Sequence, residues 1–349
     1  MDIRDIARLS GYSVGTVSRA INDKPNVSEK AKARIQQVMR EQGYQPNPNA
    51  QHLKQSTRTS IGVLVKGAHN QLFAELVEHV QASLGQVEEE SQLVYLDEDA
   101  DEVAEAVRYQ SSLHFKGILF LGGDPANFRA GFEAITIPCL LLTNTAESIG
   151  RDNLSSFTTD DAKAAAEAVD ELVRFGHRRI GIIGGNRRPE QIGTLRLQGA
   201  MDALERHGVP FEVERDYEPC RFSMRDGYDA TMCLLRRRPD LTAIFALGDV
   251  MAIGAMRALR DVGRPVPESI SVVGFDGIEA SKFTVPRLMT VRQDVEGIAE
   301  KGVAALLERL EDPAKEPVHE RVGHTLHRGE SLCPPPHDIY HTLYEGMAS

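Results

Sequence analysis

From Ser60 onward the chain alternates short, unbroken apolar runs with amphipathic stretches, and nothing else in the sequence constrains the fold as strongly. The runs fall at residues 61–65, 93–96, 117–121, 139–143, 179–183, 243–247 and 271–275. Between them Phe73, Leu76, Val77, Val80 and Leu84 recur at helical spacing. So do Ala162, Ala165, Ala166, Val169, Leu172 and Val173, closing at Gly176. A strand that is apolar at successive positions is buried on both faces, the signature of a parallel sheet covered by helices on each side. Strand–helix alternation therefore predicts an α/β body of the doubly wound kind. The pattern restarts near residue 160, where Phe157-Thr158-Thr159-Asp160-Asp161 leads into a new helix. Two doubly wound lobes follow, with a ligand crevice between them at the C-terminal ends of the strands.

The charge separates this body from what precedes it. The 349 residues carry a formal charge of −11, which taken whole argues against a nucleic-acid partner. Residues 1–58, however, hold ten Lys/Arg and five Asp/Glu, a balance of +5, and leave −16 on the rest. A basic segment on an acidic chain points to nucleic acid or a membrane surface. Within it, Ile3, Ile6 and Ala7 sit at helical spacing behind Asp2, and Gly11 breaks the run. Ser13 caps a second helix through Val17 to Ile21, and Ser28 caps a third carrying Ala31, Ile35 and Val38, with Gly43 past its end. A tight turn between the first two helices makes an all-α helix-turn-helix head, whose second helix enters the major groove N-terminus first. Val14, Gly15, Thr16, Ser18 and Arg19 then face the groove, with Arg19 suited to a guanine edge and Thr16 and Ser18 to phosphates. Spacing alone fits a protein-binding three-helix bundle equally well.

The stretch 46–56 reads either as a flexible spacer or as a helix that forms only when docked. Asn47 is a good N-cap and Pro48 a good first helical residue. Two turns are too short to persist alone, well below the ~12–15 residues an isolated helix needs. Leu53, beside Lys54 and near Arg58, has the make-up of an apolar wedge for a minor-groove step.

In the body, Asn70, Phe73, Thr143, Asn144, Asp249 and Asp276 fall just past strand ends, and Arg196 and Phe222 in loops after the restart. Carboxylates, an arginine and an aromatic face suit a polyhydroxylated ligand; strand-end acids are also ordinary helix N-caps. No catalytic constellation stands out, so no enzyme activity and no cofactor are expected. Gly181-Ile182-Ile183-Gly184-Gly185 lacks the acidic partner of a dinucleotide fingerprint. His337 and His341 lie in a Pro-rich tail and read as solvated rather than metal-bound. Cys139, Cys220, Cys233 and Cys333 are widely spaced, as free thiols of a reducing cytoplasm are. The apolar runs are too short to span a bilayer, and residues 1–5 carry acids and no apolar leader, so a cytoplasmic protein without membrane contact is expected.

Several stretches, in order, resemble the lactose/galactose-repressor (LacI/GalR) family of bacterial transcription regulators over about residues 2–332. They are Ile3-Arg4-Asp5-Ile6-Ala7-Arg8, Thr16-Val17-Ser18-Arg19-Ala20-Ile21-Asn22, Gly43-Tyr44-Gln45-Pro46-Asn47, Phe73-Ala74-Glu75-Leu76-Val77, Gly176-His177-Arg178-Arg179-Ile180, Gly248-Asp249-Val250-Met251-Ala252-Ile253-Gly254 and Ser271-Val272-Val273-Gly274-Phe275-Asp276. The resemblance implies a helix-turn-helix DNA-binding domain (1–45), a hinge helix (46–58) and a periplasmic-binding-protein-like body of type I (59–330). In that body the N-lobe takes about 59–159 and 294–322, the C-lobe about 160–293 and 323–330, and a tail of 331–349 follows. It implies a homodimer on palindromic double-stranded operator DNA, with tetramers left open. Asn22, Asn47, Ala50 and Lys54 join the DNA-binding set, and Leu53 of each subunit sits at the operator centre. It places Asn70, Phe73, Thr143, Arg196, Phe222, Asp249, Asp276 and Gln293 at the effector cleft, so Arg196→Ala is expected to remove the effector response and spare DNA binding.

Three departures bear on specificity. Gly15 offers no side chain to a base edge, Gly248 stands where the family often has Asn, and Thr143 where Asp is common. The expected function is a repressor of carbohydrate-utilisation genes controlled by a sugar or sugar derivative, larger or less polar than usual. A regulator answering to a nucleobase or a phosphoprotein is the alternative. A transport-linked sugar-binding protein is opposed by the basic head, and a sugar-modifying enzyme by the missing catalytic groups.

Overall fold

The computed structural model describes residues 3–21, 27–42, 60–67 and 70–336. These fall into two compact units divided between Arg58 and Thr59.

The first unit contains α1 (Ile3–Ser10), α2 (Val14–Ile21) and α3 (Glu29–Glu41). Ile6, Ala7, Val17, Ala20, Ile35 and Val38 close its core, with Tyr12, Val27 and Met39 packed against them. The turn after α1 depends on Gly11. At φ +79° it lets the Gly11 and Tyr12 amides both donate to the Ala7 carbonyl, at 3.0 and 3.2 Å. Ser13 Oγ accepts from the Thr16 amide at 3.2 Å and Ser28 Oγ from the Ala31 amide at 3.3 Å, the N-caps expected of α2 and α3.

The second unit has two sheets. The first is ordered β11-β5-β4-β3-β1-β2 and the second β12-β10-β9-β8-β6-β7. The strands are β1 (Ser60–Lys66), β2 (Glu90–Leu96), β3 (Gly117–Leu121), β4 (Cys139–Leu142), β5 (Leu154–Thr159), β6 (Ile180–Gly184), β7 (Tyr217–Pro219), β8 (Ala243–Ala246), β9 (Ser271–Asp276), β10 (Met289–Gln293), β11 (His319–Val322) and β12 (His324–His327). Strand pairs run parallel, apart from antiparallel β10–β12. Each sheet reverses its order beside its first strand, at β1/β3 and at β6/β8, the switch points where open α/β sheets bind ligands.

The seven apolar runs are all strands. The restart near residue 160 leads into the new helix as expected, and residues 157–159 are the end of β5. Its sequence, Leu-Ser-Ser-Phe-Thr-Thr, is buried throughout. Ser155 Oγ accepts from the Val318 amide and Ser156 Oγ from the Ala146 amide, so the two serines of this strand are satisfied internally. The helix begins at Asp161, behind an Asp160 N-cap, and ends at Arg174. Helix Ile192–Arg206 crosses it so closely that a Cβ at Gly199 would lie 2.0 Å from the Ala162 carbonyl oxygen. Any larger residue there would separate the helices.

The chain passes from the first sheet to the second after Thr159 and returns after Gln293. Helix Val295–Glu311 then packs on β4 and β5, and the chain leaves again after Val322. Packing continues into the region read as tail. Ser331 Oγ donates to the Val272 carbonyl at 2.6 Å and accepts from the Met289 amide at 2.8 Å, and the Cys333 amide donates to Ser271 Oγ. Residues 46–58, His337 and His341 lie outside the described residues.

Candidate functional site

In the first unit, Val14, Gly15, Thr16, Ser18 and Arg19 all fall on α2, the second helix of the pair. Gly15 is exposed and Thr16 half-buried, its hydroxyl 2.9 Å from Ser13 Oγ. Thr16 is thus part of the helix cap. Asn22, Asn47, Ala50, Leu53 and Lys54 lie outside the described residues.

In the second unit, a cavity of about 890 Å³ opens between the C-terminal strand ends of the two sheets. The first sheet supplies Lys66, Gly67 and Asn70 at and after the end of β1, Tyr95 to Asp99 at and after β2, Gly122 and Gly123 after β3, and Thr143 and Asn144 after β4. The second supplies Asn186, Arg188, Gln191 and Ile192 after β6, and residues 221–226 after β7. Asn70, Phe73, Thr143 and Phe222, all named from sequence, line it. Asn70 also caps helix Gln71–Gln86, its Oδ1 accepting from the Leu72 amide at 3.1 Å. Gly248 has a local reason: a Cβ there would meet Phe222 at 3.1 Å. The missing side chain makes room for the aromatic wall.

Sequence reasoning missed the ion pairs that bridge the two sheets at the cavity mouth. Arg221 reaches Asp97 and Asp99, both at 2.8 Å. Asp124 receives Arg188 at 3.4 Å and the Gln191 amide at 2.7 Å, and Arg129 pairs with Glu190. Beside Arg221, burial raises the Glu98 pKa against the pull of the guanidinium. The run Asp97-Glu98-Asp99, immediately after an apolar strand, was the available signal.

Arg196, Asp249, Asp276 and Gln293 are not among the residues lining the cavity. They are almost wholly buried, and Arg196 and Gln293 both bond to Asp276. Arg196 Nε donates to Asp161 at 2.7 Å, and its terminal nitrogen donates to Asp276 at 3.1 Å and to the Leu247 carbonyl at 2.6 Å. The guanidinium stacks 3.7 Å above the Phe275 ring. Gln293 Nε2 donates to Asp276 at 2.8 Å, and Thr159 Oγ1 donates to Gln293 Oε1 at 2.9 Å. Asp249 accepts from Thr290 Oγ1 at 2.6 Å and the Ile278 amide at 2.9 Å. Thr159, Asp161 and Gln293 flank the first two crossings between the sheets, so this network ties the hinge.

Burial pushes the Asp276 carboxyl up to about 6, against the pull of Arg196 and the Gln293 hydrogen bond. Burial, then the nearby Asp276, holds Asp249 well above the carboxylate range. A carboxyl at about 6 when folded and ~3.9 when unfolded binds more protons in the native state between those values. Its stabilising contribution is therefore full below pH ~4 and lost as pH rises through 6. Asp276→Asn keeps an oxygen acceptor and removes the titration. The urea midpoint of the natural chain should rise relative to this variant as pH falls from 7.5 to 5; a difference constant over that range would refute the assignment.

Comparison with known proteins agrees with both units. Residues 2–47 match the model of bacterial regulatory proteins of the lacI family, and residues 169–332 that of a periplasmic binding protein-like domain. The transcriptional regulator MalR of Clostridium butyricum is 34% identical over 88% of this chain and 92% of its own length. The ribose operon repressor of Haemophilus influenzae is 28% identical over 89% and 92%. A CelR–cellobiose complex superposes with a TM-score of 0.69 at 27% identity, covering 95% of this chain and all of that one. The lac repressor dimer bound to operator and an anti-inducer gives 0.69 at 25%, covering 95% and 99%. With a helix-turn-helix unit, an effector-type body and a relative this similar over nearly its whole length, the chain belongs to the lacI family of bacterial regulatory proteins, sequence-specific DNA-binding regulators of transcription.

Proposed function

We propose that the protein represses carbohydrate-utilisation genes as a cytoplasmic homodimer whose affinity for a palindromic operator is set by a neutral saccharide in the body cavity. The observation that carries this reading is the chemistry of the cavity wall. Phe73, Tyr95 and Phe222 offer ring faces, and Asn70, Thr143, Asn144 and Gln191 offer neutral hydrogen-bonding groups. Each cation on the wall has a carboxylate partner: Lys66 with Glu102 at 2.5 Å, Arg188 with Asp124, Arg221 with Asp97 and Asp99, and Arg225 with Asp229 at 2.9 Å. A phosphate or carboxylate ligand would have to break these pairs, whereas a sugar hydroxyl would not. The cellobiose bound by the CelR relative and the ribose operon controlled by another support the same class.

Phe283 is 75% and Val285 97% exposed on one loop of the body, an apolar surface suited to a second copy of the chain. Two heads held by a two-fold axis read a palindrome. Effector and operator binding are then linked through the lobes, with a reciprocal coupling of roughly 1–3 kcal/mol.

Enrichment from random duplex DNA with the full chain tests the reading. It should return a two-fold-symmetric site, and a saccharide should change its occupancy. Sites without two-fold symmetry would remove the dimeric repressor. A palindrome deaf to sugars but responsive to purine bases would transfer the cavity to a nucleobase.

A further inference from the structure

We propose that the cavity holds a saccharide of at least two sugar units, with an inner subsite at Thr143 and an outer one at Tyr95 on the edge strand β2. This deepens the carbohydrate reading and rests on it.

The first argument is length. The wall of the first sheet runs across the ends of β4, β3, β1 and β2, which are consecutive neighbours. Three inter-strand spacings make roughly 14 Å, and a single pyranose ring covers little more than one of them. The volume of about 890 Å³ likewise lies near the top of the 300–1,000 Å³ range of small-molecule sites.

The second argument concerns the inner end. Thr143 is 2% exposed, lines the cavity, and has no hydrogen-bond partner for Oγ1. Its φ is +73°, in the left-handed region that a β-branched residue strongly disfavours. A buried hydroxyl left unsatisfied costs ~1–3 kcal/mol. Strain and an orphan hydroxyl at one position mark a group held ready for a ligand.

The third argument fixes the direction in which a longer ligand extends. On the facing lobe Asp249, Asp276 and Gln293, at the ends of β8, β9 and β10, are buried and do not line the cavity, and open space remains at β6 and β7. A ligand anchored at Thr143 can therefore lengthen only toward the β2 and β7 edges. There it meets Tyr95, 57% exposed, whose ring offers an apolar face to a sugar's C–H face while its hydroxyl stays wet. Arg221, oriented by Asp97 and Asp99, stands across the gap. Guanidinium and carboxylates together donate to and accept from hydroxyls without presenting an unpaired charge.

Titration calorimetry on the full chain tests this with glucose and galactose against maltose, cellobiose, lactose, melibiose and maltotriose. The tightest oligosaccharide should bind at least about tenfold more tightly than the better monosaccharide, ~1.4 kcal/mol. Tyr95→Ala should bring that ratio close to one, and Tyr95→Phe, which keeps the ring, should retain most of it. Tyr95 is exposed, so neither change threatens folding. A monosaccharide that matches every oligosaccharide, or a ratio untouched by Tyr95→Ala, overturns the outer subsite and leaves the carbohydrate reading standing. Heat from none of these sugars removes the carbohydrate reading and the subsites with it.

Discussion

Arg196→Ala should cost the body about 3–5 kcal/mol of stability, the usual result of removing one partner from a buried ion pair. Arg196 is 1% exposed, and the Asp161 and Asp276 carboxylates it serves are 3% and 1% exposed in their side chains. The alanine variant strands two desolvated acids, removes a donor to the Leu247 carbonyl and empties the space over Phe275. It also frees the crossings between the sheets, because Asp161 follows the first and Gln293, bonded to Asp276, precedes the second. Protonation relieves a stranded carboxylate, so the deficit should shrink as pH falls below the elevated Asp276 pKa. Urea denaturation of the variant at pH 7.5 and pH 5 measures both effects. A loss under ~1 kcal/mol at pH 7.5 would show that the network is incidental. The result also bears on how function is assigned. An Arg196 variant without an effector response has lost its hinge, and its phenotype says nothing about ligand contact unless its fold is measured first.

What could be read from sequence follows burial chemistry. β1, β3, β4, β6, β8 and β9 are covered on both faces by apolar side chains, and each shows as an unbroken run. β5 is equally buried but hidden, because Ser155, Ser156, Thr158 and Thr159 take the place of Val and Ile; the partners of Ser155 and Thr159, Val318 and Gln293, lie far along the chain. β7, β11 and β12 are short strands with little apolar pattern of their own. At the cavity, Asn70, Phe73, Thr143 and Phe222 were legible because strand ends and loop aromatics mark an α/β crevice. Arg196, Asp276 and Gln293 have the chemistry of ligands for a sugar, and only three-dimensional neighbours reveal that Arg196 and Gln293 both donate to the same Asp276 oxygen. Arg221 and Asp97 are 124 residues apart, so no local pattern announces that they meet.

Arg19→Ala should reduce binding to the selected palindrome to the level of non-specific DNA. Arg19 lies on α2, the second helix of the motif, and Gly15 on the same helix gives no side chain to a base. Sequence readout by α2 therefore concentrates on Arg19 and Val14. A bidentate arginine–guanine contact is worth ~1–3 kcal/mol of discrimination. In the proposed dimer the contact is made twice, so the loss should be roughly 2–6 kcal/mol, about 30-fold to 10⁴-fold. Thermal unfolding of the body should be unchanged, because the two units have separate cores. Salt dependence separates base reading from phosphate gripping. An arginine on a base edge releases few counterions, so the slope of log K against log salt should stay near that of the natural chain. If Arg19 instead neutralises a phosphate in each head, the slope should fall by about 1.8, from ~0.9 per phosphate. Affinity for the palindrome within twofold of the natural chain would remove Arg19 from the interface altogether. A large loss with a lowered slope would keep it there as an anchor, and the reading of the operator would pass to Val14 and to the 46–58 segment with Leu53.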